Sequence, residues 1–283
     1  NAGPEARNVQ VSGNKTVGAT LTASYTYFDF ENNPESGSTI QWYAANDSIG
    51  AAATAISGAT ALTYVLTATE KDKFLYVAIT PKAATGTTPG SIAKSAWVGP
   101  VGGETVTFTY MGSQVTYGVI VSAVTGKKWL DRNLGALQAA DSASDYKAYG
   151  DMFQWGRLAD GHQLMTFTGS TTGTRVNSIS TTQSSTDNPN HNMFINTSGL
   201  PNGPFDWRNP QNDGLWQGVN GINNPCPSGW RLPTQVEFTA ENLATQANYQ
   251  QLKLTVGGYI RLDGSLQPGS TGIGKVGYFW TSS

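Results

Sequence analysis

Apolar and polar residues alternate with a period of two over several short stretches in the first third of the chain, the pattern of half-buried strands. Leu21, Ala23, Tyr25 and Tyr27 fall on one face of a run that reads Leu-Thr-Ala-Ser-Tyr-Thr-Tyr. Val9-Gln10-Val11 precedes it and leads into the turn Gly13-Asn14-Lys15. Ile40-Gln41-Trp42-Tyr43, Leu62-Thr63-Tyr64-Val65-Leu66 and the run from Phe74 to Pro81 supply later strands. Gly, Asn and Pro separate these runs, as turns between the strands of a sandwich require. Residues 1–8 read as a linker or frayed end, and the strand pattern occupies residues 9–100.

Val98-Gly99-Pro100-Val101-Gly102-Gly103 is a Gly/Pro stretch between two strand patterns, and so the expected domain boundary. A second domain then spans residues 104–283. Its first strands are predicted at Thr105 to Tyr110 and Val115 to Val121, with a turn at Gly126-Lys127. Thr234 followed by Glu237 forms a capping box, which predicts a helix running to about Gln246. Residues 139–149 have room for a second short helix. Leu252-Lys253-Leu254, Gly257 to Leu262 and Gly277 to Trp280 read as strands. Residues 168–202 are rich in Thr, Ser and Asn with little periodicity, and read as a long polar loop. Few strands, one or two helices and long ordered loops make this half α+β.

Composition narrows the function classes. Only 13% of the 283 residues are charged, while eight Trp stand among the aromatics, so the chain has rings to bury and is not a disordered segment. A formal net charge of −2 gives no basic footprint for nucleic acid and no polybasic membrane patch. No apolar run approaches the ~20 residues of a membrane span. The chain opens Asn1-Ala2-Gly3-Pro4, as a mature exported product with its signal peptide removed would. The expected location is extracellular, at the cell surface.

Candidate chemistry is sparse. Asp29, Glu31 and Glu35 sit in one acidic loop and are the candidate calcium ligands, against the alternative of a solvated turn without EF-hand spacing. No other metal or cofactor is expected. The histidines are His162 and His191, and no Gly-x-Ser-x-Gly elbow accompanies them, so no catalytic residue and no enzyme activity are expected. The lone Cys226 reads as a buried small hydrophobe, a reactive thiol, or half of a disulfide whose partner lies outside this chain.

Two resemblances add to this reading. The run Gly13, Val17-Gly18-Ala19-Thr20-Leu21, Tyr25-Thr26-Tyr27-Phe28-Asp29 and Gln41-Trp42-Tyr43 resembles immunoglobulin-like repeats of bacterial surface proteins. The resemblance implies a sandwich that buries Trp42, with Tyr76 as a corner tyrosine and a spacer role. Four ordered motifs follow. They are Lys128 to Ala136, then Tyr149 to Arg157 with Asp160-Gly161-His162-Gln163, then Asn223 to Thr234, and last Gly258-Tyr259-Ile260-Arg261 with Gly277 to Ser283. Together they resemble the Fibrobacter succinogenes major paralogous domain, a branch of the C-type-lectin-like fold common in surface proteins of Bacteroidetes.

The fold class expected is therefore an all-β immunoglobulin-like sandwich followed by an α+β C-type-lectin-like domain. In the second domain Trp129, Trp155, Trp230 and Trp280 are expected to pack one core, with Arg132, Arg157 and Arg231 beside them and Asp131 and Asp151 as partners. His162 belongs to the same structural motif. The family often closes with a further strand and a cysteine, which implies that the lectin-like domain is truncated here and that Cys226 pairs downstream. The calcium motifs of sugar-binding C-type lectins are missing.

The candidate binding surface is the loop 168–222, with Phe205, Trp207, Arg208 and Trp216 set among polar residues, since binding residues concentrate on loops carried by a rigid scaffold. Its expected partner is a glycan or a surface protein, as in an adhesin. The alternative is a structural or display component that self-assembles or joins a secretion or surface complex, such as a filament subunit or a phage fibre tip. Asp47-Ser48-Ile49 and Asp141-Ser142-Ala143 offer Ser48 and Ser142 for O-glycosylation.

Overall fold

The computed structural model describes residues 1–49, 52–200, 205–244, 246–267 and 272–282. Residues 201–204 of the candidate loop and Ser283 lie outside them. The chain is mostly β-sheet, in several antiparallel sheets. It divides into two compact units, Asn1–Thr105 and Val106–Ser283.

The first unit contains β1 (Glu5–Ser12), β2 (Thr20–Phe28), β3 (Thr39–Ala45), β4 (Thr54–Ala55), β5 (Thr63–Val65), β6 (Phe74–Thr80) and β7 (Ala93–Lys94). They form two antiparallel sheets, ordered β1-β2-β5 and β4-β3-β6-β7. The period-two pattern decides which face goes inward. Leu21 and Ala23 of the first sheet and Trp42, Leu75, Val77 and Ile79 of the second share one buried cluster with Leu66 and Val101. Full burial of a Leu or Ile contributes roughly 1.5–3 kcal/mol. Trp42 is fully buried and places its only polar atom, Nε1, 2.9 Å from the Ala61 carbonyl. On the other face Tyr43 stacks on Tyr76, and Trp97 meets Tyr76 edge-on.

Two boundaries differ from the sequence reading. β1 starts at Glu5 rather than Val9, so residues expected to be linker are strand. A register shift between Arg7 and Gln10, with Asn8 at φ 52°, breaks the alternation and hides the first half of the strand from a period-two scan. The Gly/Pro stretch is likewise no free linker. Leu75 and Val98 exchange backbone hydrogen bonds, and Val101 donates to Lys73 and is buried.

The second unit opens with β8 (Thr105–Tyr110) and β9 (Ser113–Val121), joined by Met111-Gly112. Both turn residues have positive φ, as the tightest hairpins need. β10 (Lys128–Leu130) pairs with the far end of β9. β11 (Met165–Gly169) and β12 (Thr172–Arg175) form a hairpin, and β13 (Ile179–Ser180) pairs in parallel with β14 (Phe194–Ile195). The stretch read as a polar loop thus holds strands. Gly173, Arg175 and Ser180 take the inward positions of β12 and β13 and supply no apolar alternation, and Gly173 admits the Phe167 ring where a Cβ would lie 2.5 Å from it.

The helix expected from Thr234 to Gln246 is shorter. α1 (Gln235–Ala240) has the predicted capping box, and α2 (Gln246–Gln251) is separate. Asn242 at φ 49° ends α1. The adjacent Glu241 is drawn inward, where Oε2 accepts from Ser122 at 2.5 Å and Oε1 from Thr125 and Trp129. Residues 139–149 contain one turn of 3-10 helix, Tyr146–Ala148, capped by Asp145. The three predicted C-terminal strands reduce to the bridges Gly258–Gly277 and Ile260–Leu266. Left-handed Lys253 and Gly258 interrupt the extended run.

Candidate functional site

The motif residues of the second unit build a buried polar network. Arg157 is fully buried and its guanidinium is encircled by acceptors. Nε reaches Asp160 Oδ2 at 2.8 Å, Nη1 reaches Gln154 Oε1 and the Met193 carbonyl, and Nη2 reaches the His191 carbonyl at 2.7 Å. Its Cζ lies 5.8 Å from the centroid of the Trp207 ring. The partner is therefore Asp160, not Asp151. His162 is also fully buried, with Nδ1 on Asp160 Oδ1 at 2.8 Å and Nε2 accepting from the Gln154 amide at 3.0 Å. Burial pushes its pKa down to about 4, so the ring is neutral and both nitrogens are engaged. That arrangement holds a loop and leaves no nitrogen for proton transfer.

Asp151 accepts from the Tyr110 hydroxyl at 2.7 Å and the Met165 amide, and burial raises its pKa to about 6. Arg132 pairs with Asp131 through Nε and Nη2, as expected, and lies over the Tyr117 ring. Arg231 makes two bonds to Glu237, which also takes Lys127. These cations hold the Glu237 carboxyl far below its ordinary range, Arg231 most of all.

The tryptophans do not form the single core expected. Trp129 packs edge-on against Phe238 near α1, Trp230 is half-buried, and Trp280 is 53% exposed. Trp280 follows an extended segment in which Phe279 turns inward onto Phe238, so period two sends Tyr278 and Trp280 outward. The buried cluster consists instead of Ile195, Trp207 and Leu215. Trp207 and Trp216 are 3% and 1% exposed, which removes them as ligand contacts. Trp207 donates to the Trp155 carbonyl, and Trp216 packs against Trp155 and Phe153. Arg208 pairs with Asp187 at 2.6 Å and reaches the Pro210 carbonyl, stapling its loop. Phe205 alone of those four is well exposed.

Next to these residues lies a cleft of about 450 Å³, lined by Trp155, Gln211, Asp213, Gln217, Trp280, Thr281 and Ser282. Its size falls within the ~300–1,000 Å³ of small-molecule sites. Two reciprocal hydrogen bonds fix its aromatic walls. Trp155 Nε1 donates to the Thr281 carbonyl and Trp280 Nε1 to the Phe153 carbonyl, each at 2.9 Å. Both indole N–H groups are thus engaged by backbone, so the rings offer a ligand their faces. Gln217 Nε2 donates to the carbonyls of Asp213 and Ser282, and Gln211 Nε2 to Asp213 Oδ1 at 2.6 Å. The Asn212 side chain accepts from the Gly214 amide and shapes this turn. Sequence reasoning named the surrounding loop but not Gln211, Asp213 or Gln217, for which the one local signal was the Asn-Asp-Gly turn before Trp216.

The remaining candidates fall elsewhere. Asp29 Oδ1 caps the amides of Glu31 and Asn33, Glu31 takes the Ala2 amide, and Glu35 takes the Tyr25 hydroxyl. The three carboxylates serve different partners. Among the described residues no group of three His, Cys, Asp or Glu side chains is placed to hold a metal ion. Cys226 is a free thiol that burial pushes up to about 12, which disfavours the reactive thiolate. Ser48 and Ser142 are exposed. Among the described residues no helix is long and apolar enough to cross a membrane. No protein-family model matches the chain, and no curated protein shows significant similarity to it.

Proposed function

We propose that the chain is an extracellular binding protein of adhesin type, in which the second unit recognises a glycan or surface protein through the Trp155–Trp280 cleft and the first is a spacer. The observation that carries this reading is Trp280. A large ring held half-exposed by its own hydrogen bond, beside a second Trp and polar loop side chains, has the make-up of a recognition hot spot. Binding without catalysis is supported by His162, buried with both nitrogens engaged.

In the first unit, a buried Trp42 between two antiparallel sheets supports an immunoglobulin-like sandwich. In the second, long loops pinned by a buried polar network, together with a short capped helix, support a C-type-lectin-like domain of the major paralogous kind. The test is binding of the full chain to a glycan array and to immobilised surface glycoproteins. Trp280→Ala should abolish the signal and Phe205→Ala, outside the cleft, should preserve it. Binding that ignores Trp280→Ala contradicts the reading. Failure to bind, with concentration-dependent polymers in sedimentation, would favour the display role instead.

A further inference from the structure

The hydrogen bonds inside the cleft decide what chemistry a ligand must bring. Gln217 Nε2 already makes two bonds, so its amide donors are used. Gln211 Nε2 donates to Asp213. The indole N–H groups of Trp155 and Trp280 are engaged by backbone carbonyls. What the side chains still present is mostly acceptors, the two glutamine amide oxygens and Asp213 Oδ2, beside the second N–H of Gln211.

An acceptor-rich rim calls for a ligand rich in donors. The one charged lining residue is Asp213, so an anionic ligand meets repulsion and no cation. Asp213 in turn shares one oxygen with Gln211, which weakens its pull on a cationic ligand. The ring faces carry a negative π-surface that suits the slightly positive C–H face of a saturated ring. A sugar supplies both features, hydroxyl donors around its edge and C–H groups on its face.

Resting on the reading of the cleft as the binding site, we infer that its ligand is a neutral saccharide, bound by stacking on Trp280 and by hydroxyl donation to Gln211, Asp213 and Gln217, without a metal ion. The test uses the folded full chain and five probes: maltotriose, chitotriose, lactose, sialyllactose and a trimethyl-lysine peptide. Each is titrated by calorimetry with and without EDTA.

At least one neutral probe should bind, unaffected by EDTA. Trp280→Ala should weaken it by at least about tenfold, while Trp280→Phe, which keeps a ring face, should retain most of the affinity. Asp213→Asn should weaken the neutral probe and raise the affinity for sialyllactose, because the repelling charge is gone. Circular dichroism confirms that each variant is folded.

If sialyllactose or the peptide binds instead and is lost in Trp280→Ala, the ligand class is wrong and the cleft reading stands. If a probe binds and Trp280→Ala leaves it unchanged, the cleft reading itself fails. Loss of neutral-probe binding in EDTA overturns the metal-free mode. Absence of binding by all three neutral probes overturns the inference.

Discussion

The two units solve the same problem, how to hold many short β segments together, by different physical means. Among the described residues of the first, eleven buried apolar residues form one cluster between two sheets; the corresponding cluster of the second has three. The second unit compensates with polar groups. Arg157, His162, Gln163 and Glu241 are each at most 1% exposed. They bind segments far apart in sequence, such as Arg157 to the carbonyls of His191 and Met193. An apolar core tolerates changes of shape; a buried polar network tolerates few, because removing one member leaves the others unpaired. The lesson concerns function as well. Side-chain to backbone bonds let the second unit carry long irregular loops, and such loops line its cleft.

The two units should respond most strongly to substitution at Trp42 and Arg157. Trp42→Ala should cost the first unit about 3–5 kcal/mol through the cavity it leaves. Arg157→Met should cost the second unit a similar 3–5 kcal/mol, although it nearly conserves volume, because Asp160 and two carbonyls lose their donor. Ile79→Leu, the volume-conserving change in the first unit, should cost less than ~1.5 kcal/mol. Hydrogen exchange read separately for each unit checks all three, and an Arg157→Met variant as mild as Ile79→Leu would erase the contrast.

Acid sharpens it next, since both histidines lie in the second unit. His162 must be neutral when folded, so its contribution is present above its ordinary pKa of 6.5 and is lost as pH falls through about 4. Asp151 works the other way. Its folded pKa is raised to about 6 from 3.8, so the folded state prefers the protonated acid and stability is lost as pH rises through 6. Each amounts to about 3 kcal/mol at ~1.4 kcal/mol per pKa unit, with opposite sign, so the two largely offset. His162→Gln should therefore make the second unit more stable as pH drops from 6 to 4, and Asp151→Asn less stable. Denaturant unfolding across this range measures it; matching pH profiles in the two variants would contradict the account.

The smallest test asks where the units are alike. Each has a capping box, Thr67 with Glu70 in the first and Thr234 with Glu237 in the second. Thr67→Ala and Thr234→Ala should each cost about 1 kcal/mol. A much larger loss at Thr234 in the same exchange measurement would mean that the cap also supports the Arg231–Glu237 pair.

Much of the first unit was legible because its strands obey one local rule. Leu21 and Ala23 could be placed on one face from alternation, while the burial of Trp42 came from the immunoglobulin-like resemblance. The first half of β1 escaped because a bulge at Asn8 breaks the period. In the second unit the hairpin strands and the start of α1 were readable, since both have local signals. Trp280 was misassigned to the core, and Asp160 was missed as the partner of Arg157. Both outcomes depend on bonds to backbone or side chains that no periodicity encodes, such as Trp280 to Phe153, 127 positions away. The cleft had the same fate, since Gln211, Asp213 and Gln217 meet Trp155 and Trp280 only after folding.

The most direct test of the account is oxidative footprinting of the tryptophans, read by mass spectrometry on the full chain with and without a bound ligand. Trp280 should be the most reactive of the eight in the free protein and should be protected when ligand binds, while Trp42, Trp207 and Trp216 stay unreactive throughout. A Trp280 that is as shielded as Trp216 when free, or that stays fully reactive with ligand bound, would contradict it.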